Sequence, residues 1–346
     1  MRSHPVTRSL PFALIPLAIL ALPALVGGTT LSLLNTVGLA SIGAIGLNLV
    51  MGVAGQVSIG NAGFLAIGAF TAGLLSAEQG WPFLVVLPIG GLIAAVVGTL
   101  VGAPAVRVRG LYLVIATLAF LYVAIFVAYK VQQATVGSIG FLMDPPTIGS
   151  VTISTPRQWS YLIWTTSALI GLAVRALVRS RYGRAWMAIR DSEISAESVG
   201  ISVPRYKLLA FTLSSAIVGM AGVMFAFYYQ SVQFEAFTLD MSIQYLVIAL
   251  IGGLGSIAGS YYGSLFVLGV PFLLQRYAAD VIEDRFGFGG VAYVQNVVYG
   301  AFVVAFVLFE PQGIASVLHR IRRAPARRRS RRAARIAPAT SGVMSA

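Results

Sequence analysis

The stretch Pro82-Phe-Leu-Val-Val-Leu-Pro88-Ile-Gly-Gly-Leu-Ile-Ala-Ala-Val-Val-Gly-Thr99-Leu-Val-Gly-Ala103 contains no charged residue. A helix of about 20 apolar residues crosses the roughly 30 Å hydrocarbon core of a bilayer, so this one segment is long enough to span it. It shows none of the short alternation of a membrane β-strand. Similar runs fall on either side, near 10–27, 30–53, 59–77, 110–130, 158–178, 208–230, 241–258, 262–279 and 291–309. Composition agrees: 58% of the residues are hydrophobic and 10% charged, against about a quarter charged in ordinary globular domains. The mean hydropathy is +0.86. There is no cysteine, which excludes a disulfide scaffold and any cysteine-ligated metal site.

The charges between these runs sort by side. Placing the N-terminus inside puts Arg2, Arg8, Arg107, Arg109, the basic residues between Arg175 and Lys207, and those between Arg320 and Arg335 on one side. Lys130, Arg157, Arg276 and Arg285 are left on the other, so 20 of the 24 basic residues lie inside. Seven of the 11 acids, among them Glu78, Asp144 and Asp240, fall outside. This is the positive-inside bias of a polytopic protein, and omitting one span would scramble the later loops. The expectation is an all-α, polytopic integral membrane helix bundle of about ten transmembrane helices. Both termini are cytoplasmic, residues 1–320 form the membrane domain, and 321–346 form a basic, disordered tail. Arg2 and Arg8 ahead of an apolar stretch ending at Ala21-Leu22-Pro23-Ala24 also have the form of a cleaved signal peptide. The run is long for that, and removing it breaks the charge parity. Anionic lipid is the nearer partner for the arginine-rich tail, and nucleic acid is not expected.

No Gly-x-x-x-x-Gly-Lys-Ser/Thr phosphate loop, His-Glu-x-x-His or Gly-x-Ser-x-Gly motif occurs. His4 and His319 lie in opposite terminal segments, so no metal or catalytic site is expected. The spans are nearly free of ionisable groups, unlike those of proton-coupled carriers.

Three segments carry the candidate functional residues. The first is Gly52-Val-Ala-Gly55-Gln56-Val-Ser58-Ile-Gly60-Asn61-Ala-Gly63, where glycines break an apolar run among uncharged hydrogen-bonding side chains. The second is Gly252-Gly253-Leu-Gly255-Ser256-Ile-Ala-Gly259-Ser260-Tyr-Tyr-Gly263. The first fits either a broken helix lining a pathway or close helix packing through small residues, and spacing alone favours packing. The second repeats Gly52, Gly55 and Gly63 as Gly252, Gly255 and Gly263, three glycines that do not by themselves make an internal repeat. The pathway candidates are Gly52, Gly55, Gln56, Ser58, Asn61, Gly252, Gly255 and Ser256. The third segment, 179–207, mixes Trp186, Ile189, Ile194 and Val199 with arginines and with Asp191, Glu193 and Glu197. That pattern suits short amphipathic surface helices, resting on lipid headgroups or docking a cytoplasmic protein.

Gly183-Arg184-Ala-x-x-Ala188-Ile189-Arg190-Asp191-x-Glu193-x-x-Ala196-Glu197-x-x-Gly200-Ile201, leading into Tyr206-Lys207-Leu208-Leu209-Ala210-Phe211, resembles the LivM-type membrane subunit of branched-chain amino-acid ABC importers. So do Leu47-Asn48-Leu49-Val-Met-Gly52-x-Ala-Gly55-Gln56-x-Ser58-x-Gly60, Arg109-Gly110-Leu111-Tyr112-Leu113, Ile251-Gly252-Gly253-Leu254-Gly255-Ser256 and Pro311-Gln312-Gly313-Ile314. The resemblance covers about 30–318. It departs at Asn61, where the family usually has histidine, at Phe120-Leu121-Tyr122, which lacks an acidic residue, and in the loose 135–146 loop.

The resemblance implies a non-enzymatic permease subunit that binds no cofactor itself. Partners would be two cytoplasmic ATPases holding ATP and magnesium, a second homologous permease, an extracytoplasmic solute-binding protein, and the lipid of a bacterial cell membrane. Arg184, Arg190, Asp191, Glu193, Ala196, Glu197, Gly200 and Ile201 would form the segment coupling it to an ATPase. The cargo would be leucine, isoleucine, valine or a related small solute. Alternatives are a urea, amide or sugar permease of the same superfamily, or a stand-alone solute channel.

Overall fold

The computed structural model describes residues 28–105, 110–149 and 151–286, with the isolated helical positions 294, 297, 300, 301 and 304. The expected first span, 10–27, the basic tail, and most of 291–309 lie outside the described residues. Each expected span between 30 and 279 falls on a helix. Among the described residues, seven helices are long and apolar enough to cross a membrane, and Asn61–Ala77 is a shorter apolar one.

In chain order, α1 is Thr29–Asn48, widening into a π turn over Leu49–Val53. Residues 55–60 are not helical. Helix α2, Asn61–Ala72, also ends in a π turn, Gly73–Ala77. Then come α3, Phe83–Ala105, and α4, Leu111–Thr135. Three two-residue strands follow: β1 Phe141–Leu142, β2 Thr147–Ile148 and β3 Val151–Thr152. Helix α5 is Pro156–Arg179, and the short α6 and α7 are Arg181–Asp191 and Glu193–Ser198. After α8, Val203–Tyr229, and β4, Ser231–Val232, come α9, Leu239–Gly252, and α10, Ile257–Phe286.

Helix α1 is the centre of the bundle, packed by α5, α8, α9 and α10. Its small residues Gly38, Ser41, Gly43, Ala44 and Gly46 are buried and admit large neighbours, Trp164 at Gly38 and Tyr245 at Gly43. Helices α2 and α3 pack on α8. A Cβ on Gly68 would stand 1.9 Å from the carbonyl oxygen of Gly219, so the α2–α8 crossing requires glycine there. Lipid offers no hydrophobic drive for such contacts; dispersion and interhelical hydrogen bonds hold them. Conversely, Leu92, Val96 and Leu100 of α3 and Ile115, Tyr122 and Phe126 of α4 are exposed at helical spacing, as suits surfaces meeting acyl chains.

The interhelical segments gather at two opposite ends. At one, β1 pairs antiparallel with β4, Phe141 opposite Val232 and Leu142 opposite Ser231. The Phe234 N–H donates to Gln132 Oε1 at 2.9 Å, and the Thr155 side chain caps α5 in a reciprocal box with Gln158. At the other end, the turn of 49–60, the α6–α7 loop and the 253–256 break meet. The second glycine-rich break is narrower than its composition suggests. Gly259 and Gly263 lie inside α10, packed against the main chain of Gly252 and Ile248 of α9, and only 253–256 is non-helical.

Candidate functional site

The 179–207 loop folds as two short helices, for local reasons. Ser180 accepts from the Tyr182 N–H to open α6, and Ser192 accepts from the Ser195 N–H to open α7, whose first residue, Glu193, suits a helix N-terminus. The chain leaves α7 through Gly200, at φ +83, where a side chain would be strained. Ile189, Ala196 and Val203 pack into a small apolar cluster beside Ile201, fixing the two helices against the start of α8. The Trp186 indole donates to the Tyr206 carbonyl at 2.7 Å. The Lys207 ammonium pairs with the Glu193 carboxylate, both largely shielded from solvent. Arg184, Asp191, Glu197, Ile194 and Val199 remain on the exposed face. Arg181 hydrogen-bonds Tyr182, which holds its guanidinium above the usual arginine value.

Arg190 reaches back across the loop end and donates from Nη1 to the carbonyl oxygen of Gly52. Gly55, at φ +73, lies under the Arg190 side chain, where an added Cβ would sit 3.0 Å from Cγ. An added Cβ on Gly52 would meet both Asn48 Oδ1 and the Gly255 nitrogen at 2.1 Å. Gly255 itself, at φ +82, donates its N–H to Asn48 Oδ1 at 2.6 Å. Asn48 Nδ2 donates to the Ser256 carbonyl at 3.0 Å and to Ser260 Oγ at 3.2 Å. The two glycine-rich breaks, about 200 residues apart, are therefore interlocked main chain to main chain, with Asn48 bridging them and Arg190 tying both to the loop. Gly252 is packed on the Gly259 carbonyl, and Ser256 Oγ accepts from the Gly259 N–H at 3.1 Å.

The rest of the first break climbs away from this knot. Gln56 Nε2 donates to the Lys207 carbonyl at 3.0 Å, the Ile59 N–H to Thr117 Oγ1 at 3.1 Å, and the Ala62 N–H to Ser242 Oγ at 3.0 Å. Ser58 is buried and accepts from the Gly60 N–H at 3.4 Å. Asn61 is buried at the start of α2, and its Nδ2 has no hydrogen-bond partner among the described residues. Gly52, Gly252, Gly255 and Ser256 thus sit together in the knot, while Gln56, Ser58 and Asn61 lie higher and face inward. Asn48 and Lys207 were not among the candidates drawn from sequence. A lone asparagine inside an apolar run and a lysine at a span start were the available signals.

The family described as "Branched-chain amino acid transport system / permease component" matches residues 29–307. The chain belongs to this family. It is 32% identical over 326 residues to the high-affinity branched-chain amino acid transport system permease protein LivM of Escherichia coli strain K12, covering 87% of this chain and 73% of that one. LivM of Salmonella typhimurium is 34% identical over 294 residues, covering 78% and 66%. The permease protein LivH of Escherichia coli strain K12 is 26% identical over 263 residues, covering 71% and 84%. No solved structure matches. This permease is therefore similar to two different components, LivM more closely than LivH.

Proposed function

We infer that this permease is one membrane half of an ATP-driven ABC importer for leucine, isoleucine and valine, paired with a LivH-like second permease in a bacterial inner membrane. Ten spans with both termini cytoplasmic place the α6–α7 loop on the cytoplasmic side, where most basic residues lie. Two ATPase subunits there hold ATP and magnesium, and a binding protein delivers solute to the opposite end. The exposed face formed by Arg184, Asp191, Glu197 and Gly200 takes the ATPase contact. Arg190, Glu193, Ala196 and Ile201 hold that face onto the bundle. The supporting observation is that Arg190 hydrogen-bonds the Gly52 carbonyl, while Gly52 packs directly against Asn48 and Gly255, which hydrogen-bond each other. This joins a surface helix to the two breaks at the Gly52–Asn61 and Gly252–Ser256 segments. A displacement of α6 driven by nucleotide then biases the two breaks between alternative arrangements, which is what a population shift requires.

Reconstituting all subunits in vesicles and following labelled leucine, with urea as a comparison, tests this reading. ATP-dependent leucine uptake is expected, and Glu197→Ala or a bulky replacement of Gly200 should leave hydrolysis while abolishing uptake. Passive flux through the purified chain alone would overturn it in favour of a facilitator. Preferential uptake of urea would reassign the cargo.

A further inference from the structure

Residues 55–60 are neither helix nor strand, and they turn at Gly55, φ +73, where the Gln56 N–H donates back to the Val50 carbonyl. One end lies under Arg190 at the loop end. The other is fixed by Ile59 to Thr117 and by Ala62 to Ser242. Thr117 is about 9 Å along α4 from Leu111 and Ser242 about 15 Å along α9 from Gly252, at 1.5 Å per helical residue. The segment therefore passes from the loop end to positions inside α4 and α9 without a helix of its own.

Its two faces differ. Gln56 and Ser58 are each 4% exposed, facing α8 and the bundle interior, whereas Val57 is 41% exposed, Gly55 is exposed and Ile59 is half-buried. The carbonyls of Gly55, Gln56, Val57 and Ser58 and the N–H groups of Val57 and Ser58 have no hydrogen-bond partner among the described residues. Leaving such groups against acyl chains costs several kcal/mol each, so an open edge at this depth faces water or protein, never lipid.

We propose that the open edge of Gly55, Val57 and Ile59, with its main-chain groups, lines the aqueous translocation path and transiently holds the head group of an α-amino acid. The carbonyls accept from the substrate ammonium and the Val57 N–H donates to its carboxylate. The branched side chain of the substrate rests on the Val57 and Ile59 side chains. Few fixed charges are involved, which keeps the hold weak enough for release, as passage requires. The buried polar side chains Gln56 and Ser58 act from behind, fixing the segment. This rests on the amino-acid import reading and adds which face of the segment meets the solute.

The chain contains no cysteine, so single cysteines introduced into it report without interference from native thiols of its own. In the assembled transporter, Val57→Cys and Ile59→Cys are treated with a charged, water-soluble methanethiosulfonate, beside Gln56→Cys, Ser58→Cys and the lipid-facing Phe126→Cys. Labelling of the tagged permease at 57 and 59 should be at least tenfold faster than at the other three. Leucine delivered by the binding protein should slow it, while isocaproate, lacking the ammonium, and isopentylamine, lacking the carboxylate, should not. Equal or slower labelling at 57 and 59 in a complex that imports leucine overturns the lining and leaves the import reading standing. Fast labelling at 57 and 59 that leucine does not slow, in a complex importing leucine, overturns the head-group site. Fast labelling in a complex that does not import leucine overturns the import reading with it.

Discussion

The Arg190 guanidinium donates to the carbonyl oxygen of Gly52, joining residues 138 positions apart in sequence. A carbonyl in the last turn of a helix lacks an intrahelical partner, and the π turn of 49–53 ends where this one is supplied from another element. The contact links the surface helix α6 to the end of α1, where the first break begins and against which the second, between α9 and α10, is packed.

Replacing Arg190 by alanine should separate two activities that normally run together. ATP hydrolysis by the assembled complex is expected to persist within about twofold, while leucine uptake falls at least tenfold. Arg190→Lys, a single-point donor without the planar fork, should recover only part of the uptake. Parallel measurement of phosphate release and uptake in the same vesicles decides it, and equal loss of both would make Arg190 a docking residue instead.

Gly255→Ala should lower stability more than an ordinary alanine substitution. The residue must hold φ +82, and its neighbour Gly52 leaves little room. A cost of about 1–3 kcal/mol is expected from strained backbone, read as a drop of several degrees in the melting temperature of the detergent-solubilised permease. Gly200→Ala, at φ +83 but in open space, should cost only the backbone strain and lose less.

Asn48→Ala removes the acceptor of the Gly255 N–H and the donor to Ser256 and Ser260 together. An unpaired buried N–H costs about 1–3 kcal/mol, so accelerated proteolysis of the 253–256 turn is expected. Asn48→Asp keeps the acceptor and loses the donor, and should be intermediate in protection. Equal protection in all three proteins would sink the bridge.

Glu193→Gln leaves the Lys207 ammonium, 8% exposed, without its carboxylate partner. Removing one member of a shielded pair destabilises by about 3–5 kcal/mol when burial is complete, and less here because Glu193 is 24% exposed. Glu193→Gln combined with Lys207→Met should recover part of the loss. A double mutant as unstable as the sum of the singles would show that the pair does not interact.

The seven long apolar helices among the described residues were legible because a run of about twenty apolar residues has few alternatives. The interlock was not. Gly52 and Gly255 are 203 positions apart, and nothing in either segment announces that the two turns meet. Gly259 and Gly263 have the composition of a break but serve a helix crossing, since a glycine that admits a neighbour and one that bends the chain look the same in sequence. The alternation of Gly55-Gln56-Val57-Ser58-Ile59 was visible as well. Only the position of α8 decides that its polar members turn inward, the reverse of a soluble strand.

At the end of the bundle away from the α6–α7 loop, the pairing of Phe141 and Leu142 with Val232 and Ser231 fastens the exit of α4 to the exit of α8. Phe70 and Phe237 close over it from α2 and from the approach to α9. Four helices are thus stitched together at their tips. If the permease works beside a second subunit as proposed, a doorway on that face is expected to open along their shared border, with the stitched helices moving as one leaf.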